Sequence, residues 1–121
     1  MISSALLIDD DPITTVLNKK LLLKVKNDIS VKIESDAREA LNYLKEFQPD
    51  LIFLDLNMPG MDGLDFIAEY KKLGLESKII ILTTMSVRPT VMEKLKEYDC
   101  TDVFLKPLSI ENINSCLLPA L

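Results

Sequence analysis

The segment Leu51-Ile-Phe-Leu-Asp-Leu-Asn-Met-Pro-Gly-Met-Asp-Gly63 constrains this chain more than any other. Four apolar residues run into one carboxylate, Asp55, and the chain then breaks at Asn57, Pro59, Gly60 and Gly63. An apolar run closed by turn residues reads as a strand buried on both faces, as in a parallel sheet. Asp55 then stands at the carboxyl end of that strand, where open α/β sheets hold their ligands.

The flanking sequence repeats the arrangement. Ala5–Ile8 is an apolar run followed by Asp9, Asp10 and Asp11. Ile79–Leu82 is the most apolar run, expected to be central, and ends at Thr83 and Thr84; Val103–Leu105 ends at Lys106-Pro107. Val31–Glu34 alternates instead, the mark of a strand with one wet face or at a sheet edge. Helical stretches lie between these runs. Asp11-Pro12 opens the first, whose apolar stripe is read as Ile13, Val16, Leu17 and Leu21, with Lys19, Lys20 and Lys24 outward. Asp36 with Glu39 resembles a capping box, followed by Ala37, Ala40, Leu41 and Leu44. Asp62 opens a third helix with Phe66, Ile67, Tyr70 and Leu73 inward, and Gly74 ends it. Pro89 starts a fourth, with Val91, Met92, Leu95 and Tyr98 inward. Ser109 caps a fifth carrying Ile110, Ile113 and Leu117, stopped by Pro119. Five strand–helix alternations with short connections predict an α/β domain: a doubly wound parallel sheet with helices on both faces, one domain over residues 1–121.

Composition narrows function by exclusion. A net charge of −5 and a pI of about 4.7 argue against a surface for nucleic acid or an anionic membrane. There is no histidine, which removes the usual general base and zinc ligand. Cys100 and Cys116 read as reduced, partly buried small residues of a cytoplasmic protein rather than a disulfide framework. The N-terminal stretch reads as neither signal peptide nor membrane span.

In a parallel sheet every strand's carboxyl end lies on one rim. Asp9, Asp10, Asp55, Thr83 and Lys106 therefore converge. Three carboxylates need compensation, and an oxygen-only ligand set points to Mg²⁺. A carboxylate beside Mg²⁺ is a candidate nucleophile for phosphoryl transfer, with a hydroxyl and an ammonium to neutralise the phosphoryl oxygens. Taken singly, each residue has a plainer reading: Asp11, Asp36 and Asp62 as helix caps, Thr83 as a strand end, Lys106 as a surface lysine.

Together, Leu7–Pro12, Phe53–Gly63, Leu82-Thr83 and Leu105–Pro107 resemble the receiver domain of two-component response regulators, over essentially the whole chain. The resemblance implies a flavodoxin-like sheet in the order 2-1-3-4-5. It implies Asp55 as phospho-acceptor, Asp10 as direct and Asp9 as mainly water-mediated Mg²⁺ ligand, and the backbone carbonyl of Asn57 completing the metal site. Thr83 would hydrogen-bond the phosphoryl group, Lys106 would ion-pair with it, and Lys106–Pro107 would be cis. The implied partners are a histidine kinase or histidine phosphotransfer protein and a downstream protein target, met through the fourth helix, fifth strand and fifth helix. The chain is expected to be a phosphorylation switch, not an enzyme on external substrates, a monomer or a phosphorylation-dependent dimer, with output by protein contact. Two positions depart from the pattern: Thr84 stands where a small residue is common, and Val103 where an aromatic is usual, with Phe104 on the opposite face. Met85 adds an apolar side chain near the site. Two rival readings share much of the constellation: a haloacid-dehalogenase-type phosphatase, which wants a second Asp where Asn57 stands, and an unphosphorylated docking scaffold.

Overall fold

The computed structural model describes residues 2–84 and 87–117; Met85 and Pro119 lie outside the described residues. Its elements run β1 (Ser4–Ile8), α1 (Pro12–Val25), β2 (Ser30–Glu34), α2 (Ala37–Leu44), β3 (Leu51–Asp55), α3 (Gly63–Lys72), β4 (Lys78–Thr83), α4 (Pro89–Glu97), β5 (Asp102–Leu105) and α5 (Ile110–Leu117). All pairings are parallel and the order is β2-β1-β3-β4-β5. The alternating strand β2 lies at an edge, as its one-sided polarity predicts. The middle of the sheet belongs to β3, so β4 is interior rather than central.

The period of two divides the apolar runs between two cores. Leu6, Ile8, Ile52, Leu54, Ile79 and Ile81 pack with Ala40, Phe66, Ile67 and Leu95 on the face covered by α2, α3 and α4. Ala5, Leu7, Leu51, Phe53, Ile80 and Leu82 pack with Leu22 and Ile113 on the face covered by α1 and α5. Strands buried on both faces have no polar positions to lose, so their continuous apolar runs follow from being sandwiched.

Helix starts follow local chemistry. Asp11, Asp36 and Asp62 are N-caps whose carboxylates accept from the N–H groups of Ile13, Arg38 and Asp65. Pro12 and Pro89 occupy first-turn positions. The Ser109 hydroxyl accepts from Asn112 N–H at the start of α5. Gly74 ends α3 at φ +72°, a left-handed turn that glycine adopts without steric cost.

Two helices turn differently from their expected stripes. In α1 the buried residues are Thr15, Asn18 and Leu22, while Ile13 is 70% exposed, Val16 46% and Leu17 55%; Leu21 is partly buried. The polar Thr15 is accommodated because its hydroxyl donates to the Pro12 carbonyl within the helix at 3.0 Å. In α5 the buried pair is Ile113 and Cys116, and Ile110 is exposed. Both cysteines are free and fully buried rather than partly so.

Candidate functional site

The carboxyl ends of β1, β3, β4 and β5 form one rim, and the polar residue that follows each apolar run stands on it. Register sets their relative depth: Ile8 pairs with Leu54, Asp55 with Leu82, and Thr83 with Leu105. Asp9 is thus one step past β1, Asp55 the last residue of β3, Thr83 the last of β4, and Lys106 the first after β5. Asp9, Asp55 and Thr83 are buried and Asp10 is exposed.

Each of Asp9, Asp10 and Asp55 offers a carboxylate oxygen, and the three oxygens lie within 4.8 Å of one another. Lys106 reaches in from the far side. Its Nζ donates to Asp9 Oδ2 at 2.6 Å and stands 3.3 Å from Asp55 Oδ1. The backbone adds one bond to each buried carboxylate: Asp11 N–H donates to Asp9 Oδ1 at 2.9 Å, and Asn57 N–H to Asp55 Oδ1, the oxygen Lys106 also approaches, at 3.2 Å. The Lys106 N–H donates to the Thr83 carbonyl at 2.8 Å, which ties the ends of β4 and β5 together. The Lys106–Pro107 peptide is cis.

Electrostatics set the protonation of the rim. Burial, with the Asp9 charge beside it, pushes the Asp55 carboxyl above the ordinary value, against the opposing pull of Lys106 and the Asn57 N–H. Burial alone would lower the Lys106 ammonium; the hydrogen bond to Asp9 and the charges of both carboxylates outweigh it and raise it above its ordinary value. Lys106 is therefore a fixed cation. Asp55 carries a charge its surroundings only partly compensate, which suits a group built to take up a cation or form a new bond.

The loop after β3 is held by Gly63. Its N–H donates to the Leu56 carbonyl at 3.0 Å, and a Cβ there would lie 2.9 Å from the Leu56 Cα. Any larger residue would push the loop that carries Asn57 away from the rim. Asn57 is exposed, two residues past Asp55. Asp11 serves as helix cap, as its plainer reading holds.

Thr84 is exposed and lines a groove of about 480 Å³ with Lys106, Pro107 and the α1 residues Leu17 and Leu21. Val103 packs towards the α4 face and Phe104 towards the α5 face, both partly buried. The groove is not legible in the sequence, because its α1 wall is built from the helix face that hydrophobic periodicity assigns to the core. Nor is the role of Asp50 at the opposite rim, where its Oδ2 accepts from Ser3 N–H at 2.7 Å and Ser4 N–H at 3.2 Å.

The sequence profile of the response regulator receiver domain matches residues 5–117. The chain is 29% identical over 112 residues to the chemotaxis protein CheY of Thermotoga maritima, covering 93% of this chain and 92% of that one. It is 32% identical over 112 residues to the probable C4-dicarboxylate response regulator DctR of Bacillus subtilis, covering 93% of this chain and 49% of that one. The chain spans about half the length of several curated relatives it matches. Among solved structures, the Vibrio cholerae chemotaxis protein CheY4 superposes with a TM-score of 0.81 at 26% identity, covering 97% of each chain.

Proposed function

This chain belongs to the response regulator receiver domain family, and from that premise we propose that residues 1–121 act as one phosphorylation-dependent switch with Asp55 as its phospho-acceptor. Receiver domains are signalling switches rather than enzymes acting on external substrates. The observation that carries the proposal is the meeting of Asp9, Asp10 and Asp55 with the Lys106 ammonium on one rim.

The donor set fits a hard divalent cation. It is three carboxylates with oxygen ligands only, and the chain has no histidine to favour a softer metal. Asp9, Asp10, Asp55 and the backbone carbonyl of Asn57 would hold Mg²⁺. When bound, Mg²⁺ supplies positive charge that offsets the crowded carboxylates and the oxygens of an incoming phosphoryl group.

An Asp55 carboxylate oxygen forms the new P–O bond as the donor's P–N or P–O bond breaks, and the leaving imidazole or carboxylate takes the electron pair. The 3.3 Å approach of Lys106 to Asp55 supports its role as ion-pair partner of the phosphoryl oxygens. Thr83 supplies a hydroxyl at the same rim. The Lys106 N–H bond to the Thr83 carbonyl means that a pull on either residue is felt by both strand ends. A phosphoryl group adds roughly 1.5–2 negative charges at neutral pH, enough to draw both residues inward and bias a two-state surface. The donor is a histidine kinase or phosphotransfer protein, and the surface that changes is built from α4, β5 and α5. With Val103 in place of an aromatic, the read-out runs through packing of α4, whose one fully buried residue is Leu95.

Incubation with Mg²⁺ and acetyl phosphate, followed by intact mass measurement, should give one phosphoryl adduct in the native protein and none in Asp55→Asn. An adduct that persists in Asp55→Asn removes Asp55 from its role. Absence of any adduct favours the docking scaffold. Sustained turnover of a phosphate ester would favour the phosphatase, against which Asn57 stands in place of the second acid.

A further inference from the structure

We propose that the open edge of β2 pairs with β2 of a second copy of this chain, antiparallel about a twofold axis at Ile33, so that one sheet runs through both copies. β2 is an outer strand of the sheet. Its pairing with β1 fixes which backbone groups are already used. Ser30 N–H donates to the Ser3 carbonyl, and the Glu34 carbonyl accepts from Asp9 N–H. Ser30, Lys32 and Glu34 therefore turn their N–H and C=O groups to β1, and Val31 and Ile33, between them, turn theirs outward. No hydrogen bond within the chain meets those outward groups among the described residues. Such a row is a template for one more strand.

Charge selects both the occupant and the register. Lys32 and Glu34 lie on one face of β2, on either side of Ile33, and pair at 3.5 Å. An antiparallel copy centred on Ile33 sets Lys32 of each copy opposite Glu34 of the other, twice over, with Ile33 opposite Ile33 and Val31 opposite Ser35. Opposite charges in facing positions stabilise a strand pair, and like charges destabilise it. The register centred on Lys32 would set lysine against lysine. A closed pair of identical chains is twofold, and a twofold axis reverses the strand. Self-complementarity about Ile33 is therefore the property a second copy needs.

A lysine on an edge strand ordinarily keeps other strands away. Lys32 is instead folded back onto its own chain: its Nζ lies 5.6 Å from the centre of the Tyr43 ring on α2. On the other face, Val31 and Ile33 are only partly buried against the core beneath α1 and α5. Ile33 set against Ile33 covers apolar surface that the single copy leaves wet.

The pairing uses neither Asp55 nor Mg²⁺, so its test uses the unphosphorylated, metal-free chain and can fail or succeed by itself. Sedimentation equilibrium from micromolar to millimolar protein should show a reversible monomer–dimer equilibrium that weakens as salt rises. Amide exchange at Val31 and Ile33 should slow at high protein concentration, while the Lys32 amide, already bonded to β1, stays protected throughout. Association should weaken at least tenfold in Lys32→Glu and in Glu34→Lys. An equal mixture of the two variants should regain it, because each then meets the opposite charge in the other although neither keeps the ion pair within its own strand. Lys32 is exposed and Glu34 partly so, and melting curves check that both variants keep the fold. Val31→Pro, which removes one outward N–H from an edge strand, should abolish the dimer without either charge change. A monomer at every concentration, a dimer indifferent to Glu34→Lys, a mixture no tighter than its components, or protection centred on α4, β5 and α5 would each overturn the proposal. So would a chain that stays monomeric yet binds an extended peptide at β2; the edge would then serve a foreign strand.

Discussion

Asp55 is a buried carboxylate whose neighbours pull in opposite directions. Burial and Asp9 disfavour its charge, while Lys106 and one backbone N–H favour it, and the raised titration says that the first pair wins. The sign of the stability effect follows. An acid with a folded-state pKa above its unfolded value carries no penalty below the unfolded value, 3.8, and the full penalty once the pH exceeds the folded value. Asp55→Asn should therefore stabilise the metal-free protein at neutral pH, by on the order of 1 kcal/mol. The gain should shrink as pH falls towards and below 3.8. Adding Mg²⁺ should reduce or reverse it, because a bound cation stabilises only the native carboxylate. Denaturant melts of both proteins across pH, with and without Mg²⁺, check all three outcomes. No neutral-pH gain for Asp55→Asn would mean that Lys106 already compensates the site.

At the scale of elements, α1 separates what hydrophobic periodicity can decide from what it cannot. Leu21, Leu22 and Leu23 are consecutive, and apolar residues occur on more than one side of this helix. Two stripes fit a 3.6-residue period, and the fuller one, through Ile13, Val16 and Leu17, is the one that faces outward. The inward stripe passes through Thr15 and Asn18, which sequence reasoning discounts for polarity. The difference is measurable. Leu22→Ala removes a fully buried side chain and should cost about 2–5 kcal/mol. Leu17→Ala should change stability by less than roughly 0.5 kcal/mol. Chemical denaturation of the two variants distinguishes the faces, and equal costs would return the outer stripe to the core. The strands were legible for the opposite reason. Burial on both faces leaves a continuous apolar run with only one reading, and the first polar residue after it marks the rim. Hence Asp9, Asp55, Thr83 and Lys106 could be gathered from sequence before any coordinate. The 2.6 Å bond that gives Lys106 to Asp9 more closely than to Asp55 could not, because side-chain reach across strands depends on register and rotamer.

For the whole molecule, the sheet has two rims with opposite electrostatic character. At the carboxyl rim, carboxylates crowd together and Asp55 is held in a form that costs stability when ionised. At the amino rim, the Asp50 carboxylate joins the start of β3 to the start of β1 by accepting from Ser3 and Ser4, and the Ser3 backbone bond leads in lowering its pKa below 3.8. This clasp spans 46 or 47 residues of sequence. It carries no local signal beyond an Asp after a Pro, which reads as a turn. An acid with a lowered folded-state pKa contributes stability above its unfolded value and loses it as pH falls through the folded one. Asp50→Asn should therefore cost about 1 kcal/mol at neutral pH, because solvent at this partly exposed rim weakens its hydrogen bonds to the scale of an ordinary one. The deficit should close as the pH drops below 3.8. The two substitutions thus move stability in opposite directions at neutral pH and converge on the native value in acid. Since the clasp lies a full strand length from the acceptor rim, Asp50→Asn should leave the initial rate of phosphorylation by acetyl phosphate within twofold of native. A larger loss of rate would mean that the registry of β1 and β3, set at the amino rim, also determines how Asp9 and Asp55 meet at the other.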